Sequence, residues 1–320
     1  SLPSTSIAAT RRYETSYRPA RGGYAEPPMQ TTSQPLLSQS DNTAGQQVID
    51  FPAGVLVGST IHQIFEEIDT TIVPLEDEIK RIVKDKTSNG KLRHFGENLC
   101  KMVQETLTTP LGGPFGNDRL VDIPPSHCIP EMGFEMGLGG QQKNIKVSAV
   151  GKVLKDYLSP QDSLANYAEI LCGPAFEIPL GSLLTGSVDA VLGLPGSRSD
   201  QPRLAICDYK SNRLHTAGME NPLQAYAPER IVQAMESHHY PLQAILYGTA
   251  LYRMLRWRLP QANPNQCIVG IAYTFTRGMK GADTPIDNNP IKPENMPALL
   301  FLLTAIAIKT QNKGSETLAI

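Results

Sequence analysis

Residues 184–210 read LTGSVDAVLGLPGSRSDQPRLAICDYK, and the architecture of the chain turns on them. Two short apolar runs flank PGSRSDQP, which is turn chemistry, so the segment reads as a β-hairpin. An acid interrupts each run, Asp189 the first and Asp208 the second, and Lys210 follows Asp208 by two positions. Residues two apart on a strand face the same way. Asp208 and Lys210 therefore share a face at the C-terminal end of their strand, and Asp189 can reach the same spot across the hairpin. Two carboxylates converging beside an ammonium repel each other, and a bound divalent cation removes that repulsion. Mg²⁺ is typically held by one or two carboxylates, with waters and phosphate oxygens completing its shell. The lysine would then stand where a phosphate or an attacking water is held. Read without chemistry, the same residues make a surface hairpin carrying an ordinary salt bridge.

Outward from the hairpin, the patterning alternates between helix and strand. Upstream, VLVGSTIHQIFEEI carries Ile61, Ile64, Phe65 and Ile68 at helical spacing, with Ser59 as the expected N-cap. A second helix is expected from Leu92 to Leu107, with Phe95, Leu99, Met102 and Val103 on one face. EMGFEMGL, residues 131–138, alternates at strand period, and helical VSAVGKVLKDYL follows. Downstream of the hairpin come helices at Glu229–Ser237 and Pro241–Arg258, the strand CIVGIAYTF, and an expected apolar helix at Met296–Ile308. This order predicts an α/β fold, a mixed central β-sheet flanked by helices.

Composition sets the bounds. The 320 residues allow one large domain or two ordinary ones. With 29 basic and 31 acidic residues there is no global field for nonspecific nucleic-acid binding, so any such contact needs a local patch. Five scattered cysteines without a CxxC pair argue for a reducing compartment and against a zinc ribbon. No apolar run reaches membrane-span length, so a soluble, cytoplasmic protein with no membrane partner is the expectation. Residues 1–48 are rich in Ser, Thr, Pro, Gln and Gly, too polar to offset their ordering entropy, and read as a flexible tether. A tether at that position predicts a further segment upstream.

The motifs GSTIHQIFE, EMGF, GSVDAVLG, CDYKSN, YPLQAILYGTALYRMLRWRLP and GIAYTFTRGM occur in this order. In that order and register they resemble the RecB-type nuclease domains of the PD-(D/E)xK, or restriction-endonuclease-like, superfamily. The resemblance covers about residues 50–280 and makes 49–320 one nuclease domain, with 281–320 its weakest part. It implies a Mg²⁺-dependent deoxyribonuclease of the exonuclease V type, cutting mainly single-stranded DNA by exo- and endonucleolytic hydrolysis in break processing and recombinational repair. The implied partners are DNA, a helicase portion upstream of the tether, and RecC- and RecD-like subunits. No G-x-x-x-x-G-K-[ST] phosphate loop is present, so ATP hydrolysis by that route is excluded from this chain.

Carried over by position, the resemblance makes Asp189, Asp208 and Lys210 catalytic. His62, Asp189, Asp208 and the backbone carbonyl of Tyr209 become the metal ligands. An imidazole is softer than most Mg²⁺ ligands, so Mn²⁺ or Ca²⁺ occupancy is also compatible. Glu131 matches the acid of the E-x-x-F strand and is expected either near the metal, directly behind the ligands or through water, or as a solvent-exposed strand residue; Glu135 is the plain comparison. Gln243 and Tyr247, i and i+4 on one helix, match the Q-x-x-x-Y motif and are expected either to help hold the substrate backbone or to pack as core. Arg253, Arg256 and Arg258, with Arg277 and Lys280 further on, are candidate DNA-phosphate contacts or a solvated face. The alternative to an enzyme is an inactive nuclease fold kept for DNA binding or subunit docking. Inactive relatives generally lose the acid or lysine positions, which are intact here.

Overall fold

The strand that ends in Asp208-Tyr209-Lys210 is apolar on both sides, and the rest of the fold covers it. A computed structural model of the chain describes residues 51–88, 90–137, 146–158, 165–179, 183–216, 219–281 and 299–302. The expected tether, residues 1–48, lies outside the described residues. Five strands, β1 (Cys128–Gly137), β2 (Leu183–Gly193), β3 (Leu204–Lys210), β4 (Ile268–Phe275) and β5 (Leu299–Leu302), form one sheet in that order. β1–β2, β2–β3 and β4–β5 are antiparallel, and β3–β4 is parallel. A parallel pair needs a long crossover, which here carries α6 (Pro228–Ser237) and α7 (Tyr240–Arg258).

Alternation along β3 sends Ala205, Cys207 and Tyr209 into one core and Leu204 and Ile206 into another. The first core is closed by α1 (Val55–Glu67), α2 (Leu75–Thr87) and α3 (Gly96–Thr108), through Ile61, Ile64, Ile79, Ile82, Leu99 and Met102. Phe65 of α1 stacks on Tyr209 with ring centroids 4.4 Å apart, which fixes α1 against the end of β3. The second core is closed by α6 and α7, through Ile231, Met235, Ala244, Tyr247 and Leu251. A third, smaller cluster joins α4 (Val147–Tyr157) and α5 (Ala165–Leu171) to Leu242 and Ile245 of α7. The architecture is the expected mixed sheet flanked by helices, and it is compatible with a restriction-endonuclease-like core.

Three local expectations are corrected. α1 begins at Val55, so Ser59 lies inside it; the helix is opened by Gly54, whose carbonyl accepts from the Gly58 amide at 3.0 Å. The helix expected from Leu92 starts at Gly96, preceded by a tighter 3₁₀ turn over Lys91–Phe95. Leu299–Leu302, expected within a helix, is a strand paired with β4. A continuous apolar run fits a buried strand as well as a helix, and the open edge of β4 decides between them. α2 and α5 were not anticipated. α2 is highly charged, and it buries Glu78 by pairing it with Arg81 at 2.8 Å.

Gly151 marks the tightest helix contact. A Cβ there would lie 2.8 Å from Leu171 Cβ and 2.9 Å from the Cys172 amide nitrogen, so the α4–α5 contact admits only glycine. Gly151→Ala should therefore destabilise the fold despite its better helix propensity, by ~1–3 kcal/mol of overpacking. A thermal melt with an unchanged or raised midpoint would refute this contact.

Candidate metal centre

The site lies where β2 and β3 part. Their register ends at Ala190↔Cys207, so the next position on each strand sets Asp189 opposite Asp208. On the other side of β2, Pro130↔Ala190 and Met132↔Val188 set Glu131 opposite Asp189. Three carboxylates thus occupy one row across three strands. Like charges directly opposite in a sheet are destabilising, and the surroundings answer each of them differently.

Asp189 accepts a hydrogen bond from the Tyr209 amide at 2.9 Å through Oδ2, and its Oδ1 lies 3.6 Å from His62 Nδ1. Burial, and then the neighbouring Asp208 charge, raise its pKa to about 7, against the opposing pull of His62 and Lys210. His62 projects from α1 and holds the Tyr209 carbonyl at 2.7 Å through Nε2. A carbonyl only accepts, so Nε2 carries the proton and Nδ1 faces Asp189 as the remaining site for a proton or a cation. Glu131 is exposed and its backbone is left-handed, φ 45°, which is uncommon for a residue with a side chain. The Ser187 hydroxyl donates to its Oε2 at 2.8 Å. Donor atoms of His62, Glu131 and Asp189 all lie within 4.8 Å of one another. Glu135, the comparison residue, is not part of this group.

Asp208 lies opposite Asp189, beside that group rather than within it. It is 1% exposed and turned toward Lys210, whose Nζ lies 2.7 Å from its Oδ2. Beyond this ion pair, no other donor reaches either carboxylate oxygen among the described residues. A buried carboxylate with unfilled acceptor positions beside a second acid is a donor set that suits a hard divalent cation. The residues present therefore fit a metal: His62, Glu131 and Asp189 bring donor atoms together, and Asp208 and the Tyr209 carbonyl adjoin them.

Lys210 is held on three sides, by Asp208, Tyr240 and Gln243. Burial pulls its pKa down, but the Asp208, Tyr240 and Asp189 charges outweigh burial and raise it, so it stays an ammonium. Its Nζ sits 4.0 Å from the Tyr240 ring centroid and donates to Gln243 Oε1 at 3.2 Å. Gln243 in turn donates through Nε2 to the Tyr247 hydroxyl at 2.9 Å, and the Tyr273 hydroxyl lies 3.2 Å from its Oε1. Burial pushes the Tyr247 and Tyr273 hydroxyls up, so both stay neutral. Gln243 and Tyr247 thus form a bracket for the ammonium. Tyr240 supplies one wall of the site. Glu66, one turn after His62 on α1, was not anticipated; burial, and then the Glu131 charge, raise its pKa.

Of the arginines, Arg253 and Arg256 are exposed, whereas Arg277 corrects the expectation made for it. It is 1% exposed, and its guanidinium donates to the Ser211, Phe51 and Pro52 carbonyls at 2.8, 2.7 and 2.7 Å. It also lies against the Phe51 ring, 3.6 Å from the centroid. A phosphate cannot reach it. It pins the entry to α1 onto the loop one residue beyond Lys210.

No family model matches the chain. Curated relatives do match. RecBCD enzyme subunit RecB of Mycobacterium tuberculosis (strain CDC 1551 / Oshkosh) is 32% identical over 245 residues, 73% of this chain and 22% of that protein. The chain is related to RecB. RecB of Mycolicibacterium smegmatis is 33% identical over 245 residues, 75% of this chain and 22% of its own length. RecB of Escherichia coli (strain K12) is 26% identical over 234 residues, 72% of this chain and 17% of its own length. The chain spans about a fifth of the length of these RecB proteins. Among the described residues, no helix is long and apolar enough to cross a membrane.

The Asp189 shift has a measurable consequence. Its folded pKa, about 7, is above its ordinary 3.8, so its contribution to stability is full below about pH 4 and is lost as pH rises through about 7. A divalent cation that replaces the proton should accordingly raise the melting temperature more at pH 8 than at pH 5. Asp189→Asn should flatten that difference. An equal or larger metal-induced shift at pH 5 would show that Asp189 is not the group.

Proposed function

We propose that this chain is a metal-dependent DNA nuclease domain that hydrolyses phosphodiester bonds, mainly in single-stranded DNA. In this reading it is the nuclease portion of a RecBCD-type helicase–nuclease acting in double-strand-break processing and recombinational repair. The observation that carries the reading is the row of Glu131, Asp189 and Asp208 with Lys210 and His62 beside it. The similarity to RecB supports it independently.

His62, Asp189, Asp208 and the Tyr209 carbonyl would hold Mg²⁺, or Mn²⁺ or Ca²⁺ in its place, with Glu131 alongside. A bound divalent cation supplies charge neutralisation at a scissile phosphate and brings the pKa of water down toward neutrality. Lys210, kept protonated by its acidic neighbours, stabilises the negative charge that develops on the phosphoryl oxygens, or orients the attacking water. Gln243 and Tyr247 keep the ammonium on its line of approach, so their role is one of positioning. Asp208 holds the other side of that ammonium, and loss of its charge frees Lys210 to swing. RecC- and RecD-like subunits and an upstream helicase complete the assembly in this reading, in the cytoplasm.

The reading is tested on circular single-stranded DNA, which reports endonucleolytic cutting, with and without Mg²⁺. Lys210→Ala should slow cleavage at least ~100-fold, the scale of losing one preorganised electrostatic stabiliser, while keeping the metal-induced thermal shift. Asp208→Asn should slow cleavage comparably, because it removes the charge that holds Lys210 in place. Cleavage by the Lys210 variant at the parent rate, or cutting that persists in excess chelator, would overturn the assignment and favour an inactive docking module.

A further inference from the structure

Far from the metal centre along α7, the surface changes character. From Ser237 to Ala282 the sequence contains no Asp or Glu, although the chain has 31 acids. Within that stretch, α7 ends in YRMLRWR, with Arg253, Arg256 and Arg258 exposed. Among the described residues none of the three forms an ion pair. Trp257, the single tryptophan of the chain, stands among them 73% exposed, and the Arg258 guanidinium lies over its ring at 4.3 Å. Arg256 and Arg258 also complement the negative end of the helix dipole, but that explains neither Arg253, a turn earlier, nor an indole left in water. Arg253 is further anchored by donating to the Gly137 carbonyl at the end of β1 at 3.2 Å.

An exposed aromatic ring set among unpaired cations matches one ligand chemistry, a flexible polyanion that carries flat rings. Single-stranded nucleic acids are bound by a basic surface that tracks the backbone together with aromatic side chains on which bases stack. We infer that Trp257, with Arg253, Arg256 and Arg258, is a stacking platform for a single-stranded polynucleotide, separate from the metal centre. The inference rests on the nuclease reading for its biological context but not for its chemistry. Trp257 follows Gln243 by fourteen positions, close to four helical turns, so the two side chains leave α7 on nearly the same side. They are ~21 Å apart along the axis, which is about six phosphates at the spacing of one stacked strand.

Because Trp257 is the sole tryptophan, its own fluorescence reports the contact. The full chain is titrated in chelator with oligo(dT) carrying a terminal dye, and dye anisotropy and tryptophan emission are followed together. Emission should be quenched in step with anisotropy, and an unlabelled duplex of equal length should quench much less. Trp257→Ala, checked for an unchanged thermal melt, should weaken single-strand binding about 5- to 150-fold, the scale of one lost base stack. Trp257→Phe should restore part of the affinity. Unchanged emission at oligonucleotide concentrations that saturate anisotropy, or unchanged affinity of the alanine variant, would overturn the platform. An absence of DNA binding at low salt would overturn it too, and would turn the surface toward a protein partner. Quenching without cleavage in Mg²⁺ would instead count against the nuclease reading and leave the platform standing.

Discussion

The molecule is organised around a single electrostatic conflict. Glu131, Asp189 and Asp208 fall on one line across three adjacent strands, because the β1–β2 and β2–β3 registers leave no other place for them. A sheet without compensation would shed such a row. Here each acid has a distinct counterweight: Ser187 for Glu131, the Tyr209 amide and His62 for Asp189, and the Lys210 ammonium for Asp208. The compensation is incomplete at Asp208, whose oxygens keep unfilled acceptor positions although the residue is buried.

The two cores are built to hold this row in place. α1 is locked to β3 by the Phe65–Tyr209 stack, so the His62 ring and the Tyr209 carbonyl stay within hydrogen-bond distance. On the opposite face, α7 carries Tyr240, Gln243 and Tyr247 against Lys210. One face of the sheet thus governs the ligands and the other governs the ammonium. They meet only through the three-residue sequence Asp208-Tyr209-Lys210, whose alternation sends its middle residue to one core and its flanking residues toward the other.

Much of this was legible because alternation is a strong signal. GSVDAVLG and LAICDYK each break an apolar run with an acid, and that break located both the hairpin and the site. The strand CIVGIAYTF and the long helix before it were legible from their apolar patterns, whereas the parallel pairing of β3 with β4 was not. What escaped detection depends on partners remote in sequence. The left-handed backbone at Glu131 leaves no trace in the surrounding residues. Arg277 resembles any surface arginine in a string of letters, because a guanidinium can be satisfied by carbonyls that only the fold supplies. α2 was hidden by its charge, since a buried Glu78 beside Arg81 dilutes the apolar stripe. The run at 299–302 carries no period that separates strand from helix, so only the edge of β4 could decide it.

Arg277 also ties the entry of the described fold to the end of the strand that carries the site. Its guanidinium grips the backbone at Phe51 and Pro52, where the chain enters the described fold, and the backbone at Ser211, just past Lys210. The backbone ahead of α1 and the backbone just past Lys210 are thus joined through one buried side chain.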